Sequence, residues 1–262
     1  MTPAQIQQVF QFGVMSDKLK AITRKTKPVG LDRYENSAEH SWQICVMACL
    51  FASESKLEIN VGRVVELLLV HDIPEIEVGD QIVYAGKSAA QADAEREGAK
   101  RLFNILPETQ AQWAFARWDE FETRKSNGAI FAYAIDRMMP ILQNLNNGAN
   151  SWRENNVALE QILTFNAPIG VPLPAVWAEL QAMVQRFAQT SPLPHWDEST
   201  AFLSHKTPLR RPIYGHLQSI LWTACGFHAP NSSPRTPIPP HPTCGGWGAS
   251  ANRHLAQIFA YF

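Results

Sequence analysis

Apolar residues recur every three to four positions through most of the first 190 residues, and no stretch shows the strict alternation of a half-buried strand. That period belongs to the α-helix. It predicts helices near 3–21, 37–54, 60–72, 88–105, 108–125, 126–147, 151–166 and 172–189. Several starts have a mechanism: Ser37, Asn60, Ser126 and Ser151 carry side-chain acceptors for the free N–H groups of a first turn, and Pro107 with Glu108 suits another opening. Pro28 with Gly30, Pro74 with Gly79, and Pro168 with Gly170 mark connections. With no internal repeat and no sustained heptad, the expected architecture is all-α: an irregular bundle with its apolar stripes turned inward.

The pattern breaks at one place above all. In LLLVHDIPEIEVGD the apolar run Val64, Val65, Leu67, Leu68, Leu69, Val70 ends on His71 and Asp72, with Glu75 and Asp80 close behind. An ionised aspartate is costly in apolar surroundings unless a cation meets it. Two similar intrusions stand far off in sequence, His40 in SAEHSWQI and Asp136 in FAYAIDRMMPIL. Taken alone, His40 reads as a core histidine, and Asp136 reads as a partner for Arg137 or another base. Taken together, two imidazoles and two carboxylates carried by separate helices suit one divalent ion. Glu75 follows His71 by four positions and Asp72 by three, so a continuing helical turn brings its carboxylate to the same edge; Pro74 ends the helix in the other arrangement but leaves the groups close. Mixed nitrogen and oxygen donors favour Mn, Co, Fe, Ni or Zn over Ca.

Composition narrows the partners. The chain has 262 residues, 45% of them hydrophobic, enough for one full core. Its net charge of -1 offers no general attraction to nucleic acid or to an anionic membrane, so an anionic substrate must be held by local positive groups. The start lacks the flanks of a secretory signal, and no run approaches the roughly 18–20 apolar residues of a membrane span; a cytoplasmic address is the expectation. Cys45 and Cys49, four apart in WQICVMACLF, are expected to pack in the core, and Cys225 and Cys244 lack metal-like spacing.

From Ser199 onward there is no acidic residue, five basic ones, and the Pro-rich passage NSSPRTPIPPHPTCGGWG. This leaves the first 198 residues with 18 basic against 24 acidic side chains, a mildly acidic body. The expected organisation is a helical domain over residues 1–190 followed, over 191–262, by a linker and a basic, poorly ordered tail. The tail histidines His205, His216, His228, His241 and His254 have no ligand spacing.

The order His40, His71-Asp72, Asp136 resembles the HD-domain superfamily of metal-dependent phosphohydrolases. DKLKAITR, ENSAEHS, LLLVHDIPEIEVGD, WDEFET and AIDRMMPILQN carry the likeness further, to the branch of 5'-deoxynucleotidases of the HD-domain-containing-protein-2 type, across residues 8–185. The resemblance implies an all-α HD fold, often dimeric, that hydrolyses nucleoside 5'-monophosphates with a divalent metal. By motif it implies His40, His71, Asp72 and Asp136 as metal ligands, Glu75 as the essential carboxylate, Asp80 as a further acidic site residue, and Arg24 as the phosphate-binding arginine. Asp80 would hold a second cation such as Mg or contact the sugar. Where the best-known bacterial members have an aromatic residue directly after that arginine, this chain has Lys25 and Thr26, which removes the sequence basis for discrimination against a 2'-hydroxyl. The loop IVYAGKSAAQ, with Tyr84 and Lys87, reads as solvated, the alternative being a cover over the nucleotide.

These roles are chemically sensible. A phosphate monoester repels nucleophiles by its own charge, so its hydrolysis needs charge neutralisation and an activated water. Glu75 can orient water or move its proton, and the planar fork of Arg24 can grip two phosphate oxygens. Two other readings stay open at this level: hydrolysis of another phosphate ester, a nucleoside triphosphate or an alarmone, and a non-catalytic binding module stapled by metal. The single Arg24-like anion site favours the small monophosphate, and a spare carboxylate at Glu75 argues against a staple. The expected partners are thus a small nucleotide and a second copy of the chain, with no nucleic acid and no membrane.

Overall fold

Ten helices carry the fold in the structure, a computed structural model that describes residues 1–194 apart from 82, 83, 85 and 87. The expectations for the tail, its histidines, Cys225, Cys244 and Lys87 lie outside the described residues. In chain order the helices are α1 (Pro3–Ser16), α2 (Ser37–Phe51), α3 (Val61–Val70), α4 (Glu75–Val78), α5 (Ala89–Phe103), α6 (Glu108–Thr123), α7 (Asn127–Asn146), α8 (Asn150–Glu154), α9 (Leu159–Asn166) and α10 (Pro174–Thr190). Among the described residues there is no strand, only one antiparallel bridge between Thr23 and Asn36. None of the described helices is long and apolar enough to cross a membrane.

Most predicted starts hold, and the exceptions have local causes. Asn60 and Ser126 accept from the backbone N–H groups of Arg63 and Ala129. Ser37 does not cap α2, because Asn36 accepts from the Glu39 N–H while the Glu39 carboxylate accepts from the Asn36 N–H, a reciprocal box that satisfies two donors. The predicted helix 60–72 stops at Val70. The predicted helix 151–166 is two helices: Asn156 takes a left-handed φ of 51°, and Val157 and Ala158 turn into the core between α8 and α9. Ser151, expected to open that helix, lies inside α8 and is buried. Helix 3–21 ends at Ser16 and continues as a 3₁₀ turn over Asp17–Ala21. Of the two cysteines placed in the core, Cys45 is half-buried and packs against it, whereas Cys49 is exposed.

Two apolar clusters meet at the end of α3. One joins α2, α3, α7 and α10 through Ile44, Leu67, Leu68, Ile135, Met138 and Val184. The other joins α1, α5 and α6 through Met15, Phe103 and Trp118, and takes in Val70 and Ile73. Leu67 and Leu68 are fully buried, so truncating either to Ala should cost about 2–5 kcal/mol. His71 and Asp72 lie between Val70 and Ile73 of the second cluster, just beyond Leu67 and Leu68 of the first. α7 crosses α3 and contains Pro140, which has no N–H to donate to the Asp136 carbonyl one turn earlier.

Candidate metal centre

Beyond Val70 the chain keeps turning: the Ile73 N–H donates to the Val70 carbonyl at 3.2 Å, and the Glu75 N–H to the Asp72 carbonyl at 3.0 Å. His71, Asp72 and Glu75 are therefore presented from one tight corner between α3 and α4. His40 comes from the first turn of α2, and Asp136 from the middle of α7. One ligand atom each of His40, His71 and Asp72 lie within 4.8 Å of one another, and all three residues are buried. Asp136 Oδ1 lies 2.9 Å from His40 Nε2 and 3.9 Å from His71 Nε2. The four residues selected from sequence are thus in one place, although Asp136 does not fall within the tight group of three.

The donor set fits a cation. His71 Nδ1 is 2.8 Å from the Leu68 carbonyl, an acceptor, so that nitrogen carries the proton and a neutral ring leaves its lone pair on Nε2. Nε2 is buried, has no hydrogen bond, and stands 2.9 Å from Asp72 Oδ1. A lone pair facing a carboxylate oxygen is repulsive unless a proton or a metal ion sits between them. His40 repeats the arrangement, with Nδ1 3.4 Å from the Glu35 carboxylate and Nε2 at Asp136. The rings are 5.9 Å apart between centroids, and Phe121 packs 4.8 Å from His71 as an apolar wall.

Ionisation follows this crowding. Burial alone would push His71 down, but the Asp72 carboxylate overrides it and lifts the imidazole to about 9. Burial would raise Asp72 and Asp136; His71 holds the first, and a hydrogen bond from His40 the second, below the usual carboxylate range. Glu75 differs. Burial, then repulsion from Asp72, pushes it well above the ordinary glutamate range, while a hydrogen bond from Ser37 opposes the rise. Asp80 is raised too, by burial first, against the pull of Arg24.

Arg24 sits among the carboxylates rather than in solvent. Nη1 donates to Asp72 Oδ2 at 3.0 Å and lies 3.6 Å from Asp80 Oδ1, and Nη2 is 3.9 Å from Asp136 Oδ1. Beside these groups opens a cleft of about 560 Å³, its mouth included, lined among others by Arg24, Lys25, Asp80, Tyr84, Asp136 and Asn166. Tyr84, placed in a solvated loop from sequence, instead lines this cleft, and its hydroxyl accepts from Asn166 Nδ2 at 3.3 Å. Asp136 does not pair with Arg137, whose guanidinium donates to the Phe165 carbonyl at 2.7 Å and lies over the Tyr133 ring. Two contributors escaped the sequence reading, Glu35 and Ser37. Neither interrupts an apolar run, the feature that marks His40, His71, Asp72 and Asp136.

Comparison with known proteins agrees with this geometry. Residues 16–177 match the HD domain family. The 5'-deoxynucleotidase HDDC2 of Homo sapiens is 32% identical over 115 residues, 43% of this chain and 54% of the relative. The chain spans about half the length of the curated relatives it matches. Among solved structures, a "Predicted metal-dependent phosphohydrolase" from Magnetospirillum magnetotacticum MS-1 is 34% identical with a TM-score of 0.69, covering 73% of this chain and 100% of its own. An HD-domain phosphohydrolase from Listeria innocua, 15% identical with a TM-score of 0.50 over 70% of this chain and 94% of its own, shares the fold.

Proposed function

The chain belongs to the HD-domain family, and on that premise we propose that it is a metal-dependent phosphomonoesterase hydrolysing nucleoside 5'-monophosphates, deoxynucleotides among them, to nucleoside and phosphate. The observation that carries the reading is the gathering, around Arg24 and beside the cleft that Arg24 and Asp136 line, of an imidazole and carboxylate set and of a Glu75 displaced from its ordinary ionisation. His40, His71, Asp72 and Asp136 hold one divalent ion, with Mn, Co, Fe, Ni or Zn suited to the donors. When bound, such an ion supplies positive charge to the phosphoryl oxygens and acidity to water.

The chain's own groups do the rest. Arg24 turns part of its fork from Asp80 and Asp136 to the phosphate oxygens and holds them in line. Glu75, ionised, takes a proton from the attacking water; protonated, it returns that proton to the 5'-oxygen of the leaving nucleoside. A carboxyl group that burial and Asp72 hold well above the ordinary glutamate range lies nearer the operating pH, which favours transfer in each direction. Asp80 holds a second cation such as Mg or meets the sugar.

Purified chain supplied with Mn or Co and a panel of ribo- and deoxyribonucleoside 5'-monophosphates should release inorganic phosphate, and a Glu75→Ala variant should not. Metal uptake without phosphate release from any nucleotide would overturn the reading. Release of pyrophosphate or triphosphate from larger substrates would move the activity to the other phosphate-ester class. Residues 1–190 are the catalytic body in this reading, so a chain ended after residue 198 should keep the activity of the whole. The active species is a homodimer, supported by a line of exposed apolar side chains on α2, Trp42, Val46 and Leu50.

A further inference from the structure

Glu35 lies in no helix, in the connection leading to α2, yet it is only 2% exposed. The main chain pins it: its N–H donates to the Thr26 carbonyl at 2.8 Å, and its carbonyl accepts from the Arg24 N–H at 2.8 Å. The side chain is held as firmly. Oε1 accepts from Gln143 Nε2 of α7 at 2.5 Å, and Oε2 accepts from Thr26 Oγ1 at 3.3 Å. From there Oε2 stands 3.4 Å from Arg24 Nε and 3.4 Å from His40 Nδ1, two buried nitrogens with no hydrogen-bond partner of their own.

A buried carboxylate is expensive, and this one is spent on the far sides of two working groups. The faces of His40 and Arg24 that it leaves free are those turned toward Asp136 and Asp72. A carboxylate behind a ligating imidazole fixes the ring's tautomer and raises its basicity. Behind a guanidinium it fixes the plane of the fork. We infer that Glu35 is a positioning residue that locks His40 with its lone pair toward the ion and, with the same oxygen, aims Arg24 at the phosphate. The inference rests on the reading that His40 ligates a metal. It differs from Glu75's role, since Glu35 touches neither the cleft nor the reacting atoms. Thr26, two residues after Arg24, is part of this support and turns inward.

The test is Co²⁺ titration of the full chain, followed by its visible absorption, with circular dichroism as the check on fold. Glu35→Gln should weaken Co²⁺ affinity by about 10- to 100-fold and alter the Co²⁺ spectrum while the helical signal is retained. Inorganic phosphate should also bind the Co²⁺-loaded variant several-fold more weakly. A merely structural role would lower the melting temperature without moving the spectrum. If Glu35→Gln fails to fold, Gln143→Leu and Thr26→Val, which each release one side of Glu35, should weaken Co²⁺ binding a few-fold. Wild-type chain that binds Co²⁺ beside variants that bind it equally, with the same spectrum, overturns the role of Glu35 alone. Wild-type chain that takes up no Co²⁺ overturns the metal reading and this inference with it.

Discussion

Ser37 Oγ donates a 2.6 Å hydrogen bond to Glu75 Oε2, joining the first turn of α2 to the first turn of α4. The bond favours the ionised carboxylate and partly offsets the rise that burial and Asp72 impose. As a base, Glu75 loses activity when pH falls through its pKa. Removing the hydroxyl should therefore move the acidic limb of the kcat/KM profile of Ser37→Ala upward by about one to two pH units, the equivalent of a hydrogen bond to a charged group worth roughly 1.5–3 kcal/mol. The measurement is a pH–rate profile of both proteins at saturating metal. Coincident acidic limbs would mean that Glu75 is not the titrating base.

The helices were legible in the sequence because their apolar period is strong, and the centre was legible because His40, His71, Asp72 and Asp136 each interrupt an apolar stretch. Glu35 and Ser37 were not, for a physical reason. In DRYENS the neighbours of Glu35 are polar apart from Tyr34, so nothing in the pattern says that residue 35 is buried; that follows from the main-chain pairing of 23–26 with 35–36. Ser37 had the chemistry of a cap, and only the Asn36–Glu39 box frees it to reach Glu75. The break between α8 and α9 carries no Pro or Gly, and Val157 continues the apolar period across it.

Metal uptake should be coupled to proton release at His71. In the metal-free chain Asp72 raises this imidazole from 6.5 to about 9 against the effect of burial, so the proton on Nε2 stabilises the fold fully below 6.5, and that contribution is lost as pH rises through 9. A divalent ion held by His71 and Asp72 would displace that proton. Its apparent affinity should thus climb up to tenfold per pH unit between about 6.5 and 9 and level off above. Calorimetric titration in buffers of different ionisation enthalpy checks this at pH 7, where close to one proton should leave His71 per ion bound. A buffer-independent enthalpy and a flat affinity across that range would remove His71 from the ligand set.

The exposed line on α2 makes the dimer testable. Trp42 and Leu50 are each 67% exposed and Val46 41%, one turn apart on one face, and Leu69 on neighbouring α3 is half exposed. Replacing Trp42 and Leu50 with Glu should leave a folded monomer by light scattering, while wild type sediments as a dimer. A variant that stays dimeric would place the interface on another face.

Arg24 supplies a prediction that separates its two duties. Its guanidinium lies 3.0 to 3.9 Å from Asp72, Asp80 and Asp136, and those carboxylates raise its pKa against the effect of burial. Truncation in Arg24→Ala leaves buried negative charge uncompensated, so the metal-free variant should lose about 3–5 kcal/mol, read by urea denaturation. In the proposed site a divalent ion held by Asp72 and Asp136 would restore positive charge to the same carboxylates. Saturating Mn should therefore return more stability to the variant than it adds to wild type, while activity stays low because the phosphate fork is gone. Arg24→Lys keeps the charge but not the fork, and should recover most of the metal-free stability with KM still raised at least tenfold. A variant that Mn stabilises no more than wild type would mean that Arg24 and the ion do not share these carboxylates, and a Lys variant with unchanged KM would take Arg24 out of phosphate binding.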